Sequence, residues 1–242
     1  MKKRLDVLLV ERGLAETRSQ AQALVMAGRV RGFEKAGAQV DEAEKLEVEQ
    51  PPRFVSRGGE KLAHALEALG VDVAGEDCLD IGASTGGFTD CLLQAGAARV
   101  TALDVGRAQL HERLRADPRV TAIERTNVRY LACEDLPFAP TFVTCDVSFI
   151  SVRLALPPAL RCAKPGWRAL VLVKPQFEAG PADVGKGGVV RDPAVHRRVL
   201  DEIRALAPAW DADVLGETDS GLPGPKGNRE FFLYLRDRGE SA

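Results

Sequence analysis

No apolar run in the 242 residues approaches the length of a membrane span. The basic start Met1-Lys2-Lys3-Arg4 leads into an amphipathic segment broken by an acid, not into the apolar stretch of a secretion signal. No membrane partner and a cytoplasmic location are therefore expected. Cysteine is scarce: Cys78, Cys91, Cys133, Cys145 and Cys162 are odd in number, and no two lie closer than 12 positions. That spacing matches neither a zinc site nor a disulfide framework, so buried free thiols are expected. The three histidines are far apart in sequence, which leaves no metal cluster to expect. Net charge is also small, at −2, but it is unevenly spread. Residues 1–31 hold seven Lys/Arg against three Asp/Glu, and residues 32–50 hold two against six. A locally basic surface can bind nucleic acid even in a near-neutral chain.

The stretch Cys78-Leu79-Asp80-Ile81-Gly82-Ala83-Ser84-Thr85-Gly86-Gly87-Phe88 reads as a buried parallel strand, an acid and a glycine-rich turn into a helix. A nucleotide-like ligand is expected at such a turn. The spacing Gly82-x-Ser84-x-x-Gly87 lacks the second glycine of the dinucleotide fingerprint, and Phe88 stands where a phosphate loop needs lysine. A second strand over 100–103 ends in Asp104, 24 residues after Asp80, where a carboxylate can accept from ribose hydroxyls. A ribose site without a phosphate-binding cation suits S-adenosyl-L-methionine.

In chain order, Leu5, Leu8 and Leu9 repeat at helical spacing up to Gly13. A second helix opens at Thr17, with Gln20 in a capping-box position, and stops at Gly28. Arg4, Arg12, Arg18 and Arg29 are left for the solvent faces, and short strands follow over 40–48. Gln50-Pro51-Pro52-Arg53 marks a boundary, because consecutive prolines stiffen the backbone and remove strand donors. A domain over 1–50, a linker over 51–57 and a larger domain over 58–242 are expected. Lys61 falls in the first turn of the next helix, where a cation opposes the helix dipole. Strands over 120–123, 141–145, 169–173, 214–215 and 231–235, with helices between the earlier ones, predict an α/β doubly wound, Rossmann-like sheet. Pro157-Pro158 must bend or interrupt the helix over 151–162, and Gly180 to Asp192 reads as a mobile loop. Asp80, Asp104, Asp146 and Lys174 all fall at the carboxyl ends of strands, where such sheets hold ligands.

The segments Arg4 to Ala15, Thr17 to Ala21 and Met26 to Val30 resemble the RNA-binding module of the ribosomal small-subunit protein four type. That resemblance implies a small α+β RNA-binding domain, with Lys3, Arg4, Arg18, Arg29 and the linker's Arg57 as candidate RNA contacts. Lys61, Asp146, Lys174 and Glu230 resemble in order and setting the Lys-Asp-Lys-Glu tetrad of FtsJ-type ribose 2′-O-methyltransferases. With Asp80 to Asp90, Val184 to Pro193 and Gly227 to Phe231 added, the whole chain resembles the TlyA family. That family implies 2′-O-methylation of cytidine in ribosomal RNA or ribosomal subunits, and it also carries a hemolysin label. Carried over, Lys174 is the base, Asp146 orients it, and Lys61 and Glu230 position the ribose. Asp80, Gly82, Ala83, Ser84, Thr85, Gly86, Phe88, Asp104, Asn127 and Asp146 would surround the cofactor.

A ribose hydroxyl holds its proton tightly, so methyl transfer to it calls for alignment and for a base such as a lysine with a lowered pKa. Two rival readings stand beside this one. Asp146-Val147-Ser148-Phe149 places an acid and an aromatic at the spacing of base N-methyltransferases, which stack a flipped base and accept from its amino group. A membrane-lytic protein would need a long apolar or strongly amphipathic segment, and none is visible.

Overall fold

The computed structural model describes residues 1–49 and 52–239; Pro51, placed in the linker, lies outside the described residues. The chain divides into two compact units, Met1–Pro52 and Arg53–Ala242.

The first unit runs β1 (Lys2–Arg4), α1 (Leu5–Glu11), α2 (Arg18–Met26) and β2 (Gln39–Asp41). The two strands pair antiparallel, Lys3 opposite Val40, and Val30 bridges Val48. The Thr17 hydroxyl accepts the Gln20 N–H, while the Gln20 side chain caps the Glu16 N–H instead of closing the reciprocal box on Thr17. Gly13 and Gly28, in left-handed backbone, terminate the two helices. The apolar stripes Leu5/Leu8/Leu9 and Ala21/Leu24/Val25 meet over Val30, Val40 and Leu46 in a core of their own.

The second unit contains α3 (Arg57–Ala68), β3 (Asp77–Ile81), α4 (Gly87–Gln94), β4 (Arg99–Leu103), α5 (Glu112–Arg115), β5 (Val120–Ile123), β6 (Phe142–Cys145), α6 (Val152–Leu160), β7 (Arg168–Val173), α7 (Pro175–Glu178), α8 (Pro193–Arg204), β8 (Ala212–Asp219) and β9 (Phe231–Asp237). They build a seven-stranded sheet in the order β5-β4-β3-β6-β7-β9-β8. β3 through β7 are parallel; β9 inserts antiparallel between β7 and β8. The central strands β3, β6 and β7 are largely apolar on both faces, as burial between helix layers requires. Cys78, Phe142 and Leu170 pack with α3 and α4; Leu79, Val143 and Val171 pack with α6 and α8.

Three local expectations are corrected. Cys133 and Cys162 form a disulfide: their Cα atoms are 5.0 Å apart although 29 positions separate them, a proximity that sequence spacing does not encode. Cys78, Cys91 and Cys145 are free and buried, and burial pushes the Cys91 thiol up to about 12. Helix α6 runs through both Pro157 and Pro158 before ending at Leu160. The segment after Gly180 is anchored, not loose: Gly185 bridges Val189, Val190 is buried, and the Asn228 side chain accepts from Val190 N–H at 3.1 Å and donates to Gly188 O at 3.0 Å.

Candidate active site

The turn after β3 is shaped by close backbone approach. Gly82 has φ +80°, and a Cβ there would lie 2.3 Å from the Asp146 carbonyl oxygen, so only glycine lets β3 and β6 end side by side. Gly87 opens α4 against α3, where a Cβ would lie 2.2 Å from Ser56 Oγ. The loop is then held by carboxylates. Asp104 Oδ2 accepts from Ser84 N–H at 2.8 Å and Oδ1 from Gly106 N–H at 2.6 Å. Asp80 is fully buried below the loop and accepts from the Thr89 and Thr144 hydroxyls at 2.7 and 3.0 Å. Burial, opposed in part by these two bonds, pushes its carboxyl up to about 7. Asp80 borders neither of the cavities described next and ties β3 to α4 and β6. Gly86 also lies outside them, packed against Leu110 and Leu114.

A cavity of about 460 Å³ lies at the carboxyl ends of β3, β4 and β6. Leu103, Val105, Val128, Val147 and Ile150 give it apolar walls, and Asp104, Asn127 and Asp146 its polar groups. No lysine or arginine lines it. Such a lining suits an uncharged nucleoside with a cationic extension and offers nothing to neutralise a phosphate. The Asn127 Oδ1 already caps the Arg129 N–H at 3.1 Å, which leaves its amide N–H groups and a second lone pair for a ligand.

A second cavity, of about 590 Å³, shares Gly82, Ser84 and Asp146 with the first and is also bordered by Ala83, Thr85 and Phe88. Here the four tetrad residues converge. Lys61 Nζ meets Glu230 Oε2 at 2.5 Å, and Lys174 forms an ion pair with Asp146. Lys61 is therefore not a lone cation at a helix start: it is the fifth residue of α3, opposed by a fully buried carboxylate. Lys174 also donates to Ser148 Oγ at 3.0 Å, and Gln176 Nε2 donates to Glu230 Oε1 at 3.2 Å. Ser148 and Gln176 lie two residues after a tetrad member, and that position is the one sequence signal that could have singled them out. Arg57 borders this cavity and donates to Pro223 O at 2.5 Å. The geometry can fix a small polar acceptor between two lysines and two carboxylates, next to the cation-free cavity.

In the first unit three of the candidate RNA contacts, Lys3, Arg4 and Arg18, are already engaged by carboxylates. Arg4 donates twice to Asp6, at 3.0 and 2.9 Å, and Arg18 once at 3.1 Å. Their guanidinium groups, Arg4 foremost, hold the buried Asp6 carboxyl well below the usual range. Lys3 pairs with Glu11 at 2.8 Å, and Arg12 donates to backbone carbonyls of Glu42 and Glu44. Arg29 is half-buried. The expected basic face is thus partly pre-ordered, with Arg4 and Arg18 held from below by Asp6.

Among the described residues no helix is long and apolar enough to cross a membrane, and no group of His, Cys, Asp and Glu is arranged to hold a metal ion. Residues 54–237 match the FtsJ-like methyltransferase family, and residues 3–31 match the S4 domain. Over 245 residues the chain is 46% identical to the 16S/23S rRNA (cytidine-2′-O)-methyltransferase TlyA of Mycobacterium tuberculosis, spanning 99% of this chain and 91% of that protein. It is 39% identical to Hemolysin A of Brachyspira hyodysenteriae, spanning 96% and 99%. A solved structure of a hemolysin-labelled protein from Streptococcus thermophilus matches with a TM-score of 0.75 at 43% identity, over 98% of this chain and 88% of that one. With an FtsJ-like domain carrying the Lys61/Asp146/Lys174/Glu230 cluster and an S4 domain ahead of it, the chain is a methyltransferase of the TlyA family.

Proposed function

We propose that the protein transfers the methyl group of S-adenosyl-L-methionine to a ribose 2′-hydroxyl of ribosomal RNA, on cytidine. The observation that carries this reading is the convergence of two lysines and two carboxylates beside a cation-free nucleoside cavity. The cofactor supplies an electrophilic methyl group on a sulfonium. Asp104 is placed to accept from its ribose hydroxyls, and Asp146 puts negative charge where the two cavities meet. On the acceptor side, Lys174 is the group that takes the hydroxyl proton, held in place by Asp146 and Ser148. Lys61 and Glu230, braced by Gln176, position the ribose. The name of the M. tuberculosis relative, with its cytidine and ribosomal RNA, agrees with this reading. Base N-methylation fits less well, since it has no need of the two lysines that converge here with two carboxylates.

The reading is tested by incubating the protein and cofactor with ribosomal RNA and subunits from cells lacking the gene, then mapping 2′-O-methyl groups. A new 2′-O-methylcytidine is expected. No transfer to free or assembled ribosomal RNA would contradict it.

A further inference from the structure

Three arginines at the carboxyl ends of β4 and β5 behave differently from their neighbours. Arg113, Arg115 and Arg119 each close on a carboxylate, whereas Arg107, Arg125 and Arg129 are exposed and have no ion-pair partner among the described residues. Glu124, on the same surface, is taken by Arg115 and by the Ala108 N–H. The two loops that carry these arginines form one surface, because Arg125 N–H donates to Gly106 O at 3.0 Å and Thr126 N–H to Asp104 O at 3.1 Å. Ala108 and Arg125 sit in left-handed backbone, at φ 53° and 56°. Residues other than glycine rarely hold that conformation without a reason in function or packing. Beside them Tyr130 is 76% exposed, with the Arg129 guanidinium 5.8 Å from its ring centroid. Folding gains little from three exposed guanidiniums without an ion-pair partner among the described residues, only Arg107 lying near enough to Glu124 to act on its charge, or from a phenol ring left largely in solvent. A nucleic acid strand supplies what both lack: phosphates for the arginines and a base face for the ring.

We propose that this β4–β5 face is an RNA-docking surface on the catalytic unit itself. It takes an unpaired RNA segment, with phosphates on Arg107, Arg125 and Arg129 and a base stacked on Tyr130. The proposal rests on the reading of the chain as a ribosomal RNA methyltransferase and adds where, outside the reacting cluster, the substrate is gripped.

The test uses the full-length protein with Arg107→Gln/Arg125→Gln/Arg129→Gln, with Tyr130→Ala, and with Arg161→Gln as control. Arg161 is exposed and has no ion-pair partner among the described residues, but it follows α6, at the opposite end of the sheet. Direct binding of ribosomal RNA, its salt dependence, the methylation KM and cofactor affinity by calorimetry are measured. The triple variant should bind RNA at least about tenfold more weakly, and its log–log salt slope should fall by about 2, near 0.7 for each lost phosphate contact. Tyr130→Ala should weaken binding about tenfold and leave the salt slope alone, as loss of one stacked base does. Cofactor affinity and the Arg161→Gln control should stay within about twofold of wild type. Unchanged RNA affinity and slope in the triple variant would overturn the proposal, as would an equal loss of cofactor affinity or an equal effect of Arg161→Gln. A wild type that binds ribosomal RNA through this face but methylates none of it would overturn the substrate reading instead.

Discussion

The two cavities share Gly82, Ser84 and Asp146, yet their chemistry is opposed. The one beneath Asp104 has apolar walls and carboxylates without a cation; the one beside Lys174 holds two lysines, each opposed by its own carboxylate. On the proposed reading, the first holds a ligand that arrives with its own positive charge, and the second holds a neutral hydroxyl and takes its proton. The boundary between them, at the end of β6, is where a group can pass from one to the other. The two sites are therefore separable, and substitutions on either side should affect different quantities.

The largest separation is expected at Lys174. Lys174→Ala should lower the single-turnover methyl-transfer rate by about 10²-fold or more, the usual scale for a general base. Calorimetric affinity for S-adenosyl-L-methionine should change little. A loss of affinity equal to the loss of rate would mean that the two cavities act as one. Asp104→Ala should do the reverse: cofactor affinity falls by about tenfold or more, because the Ser84 and Gly106 N–H groups lose their acceptor along with any ribose contact. The rate at saturating cofactor should fall far less.

Asp80 sharpens the comparison from below, since it supports the shared loop and touches neither cavity. Its carboxyl is raised to about 7 in the folded chain, so the native state retains a proton that the unfolded chain has already lost above the ordinary carboxylate range. Stability at Asp80 is therefore full at acid pH and declines between about pH 4 and 7, by up to about 4 kcal/mol. Thermal melts of Asp80→Asn should lack this decline. A variant whose melting temperature tracks the wild type across that interval would show that Asp80 is ionised in the fold throughout.

The smallest effect is expected in the S4 unit. Arg18→Glu should weaken RNA binding several-fold at low salt and less at high salt, because phosphate contacts release counterions. An unchanged salt slope would confine Arg18 to its bond with Asp6.

Much of this arrangement was legible in the sequence because strand ends are local. A short apolar run followed by Asp104, Asp146 or Lys174 fixes both the strand and the end at which its last residue emerges. Asp80 shows the limit of that rule: it lies one residue before the end of β3, so its side chain falls between strands and helix and meets Thr89 and Thr144. The edge of the sheet was legible only in part, since β8 extends over eight residues, seven of them paired with β9 around a register shift at Leu215, despite their polar composition. What was not legible depends on contacts distant in sequence. The disulfide of Cys133 with Cys162, the tether of Asn228 to Val190 and the bonding of Arg18 to Asp6 each join residues whose types alone do not single out the partner. A capping pattern or a strand end is written in neighbouring letters; a pairing across the fold is not.

The division of labour between the cavities is tested most directly by digesting the methylated RNA to nucleosides and identifying which atom bears the new methyl, for wild type, Lys174→Ala and Asp146→Ala. We expect 2′-O-methylcytidine from the wild type and almost none from Lys174→Ala in the same time. A methyl group on the base, or a Lys174→Ala enzyme that still produces 2′-O-methylcytidine at a near-normal rate, would contradict the proton-accepting role given to the lysine side of the site.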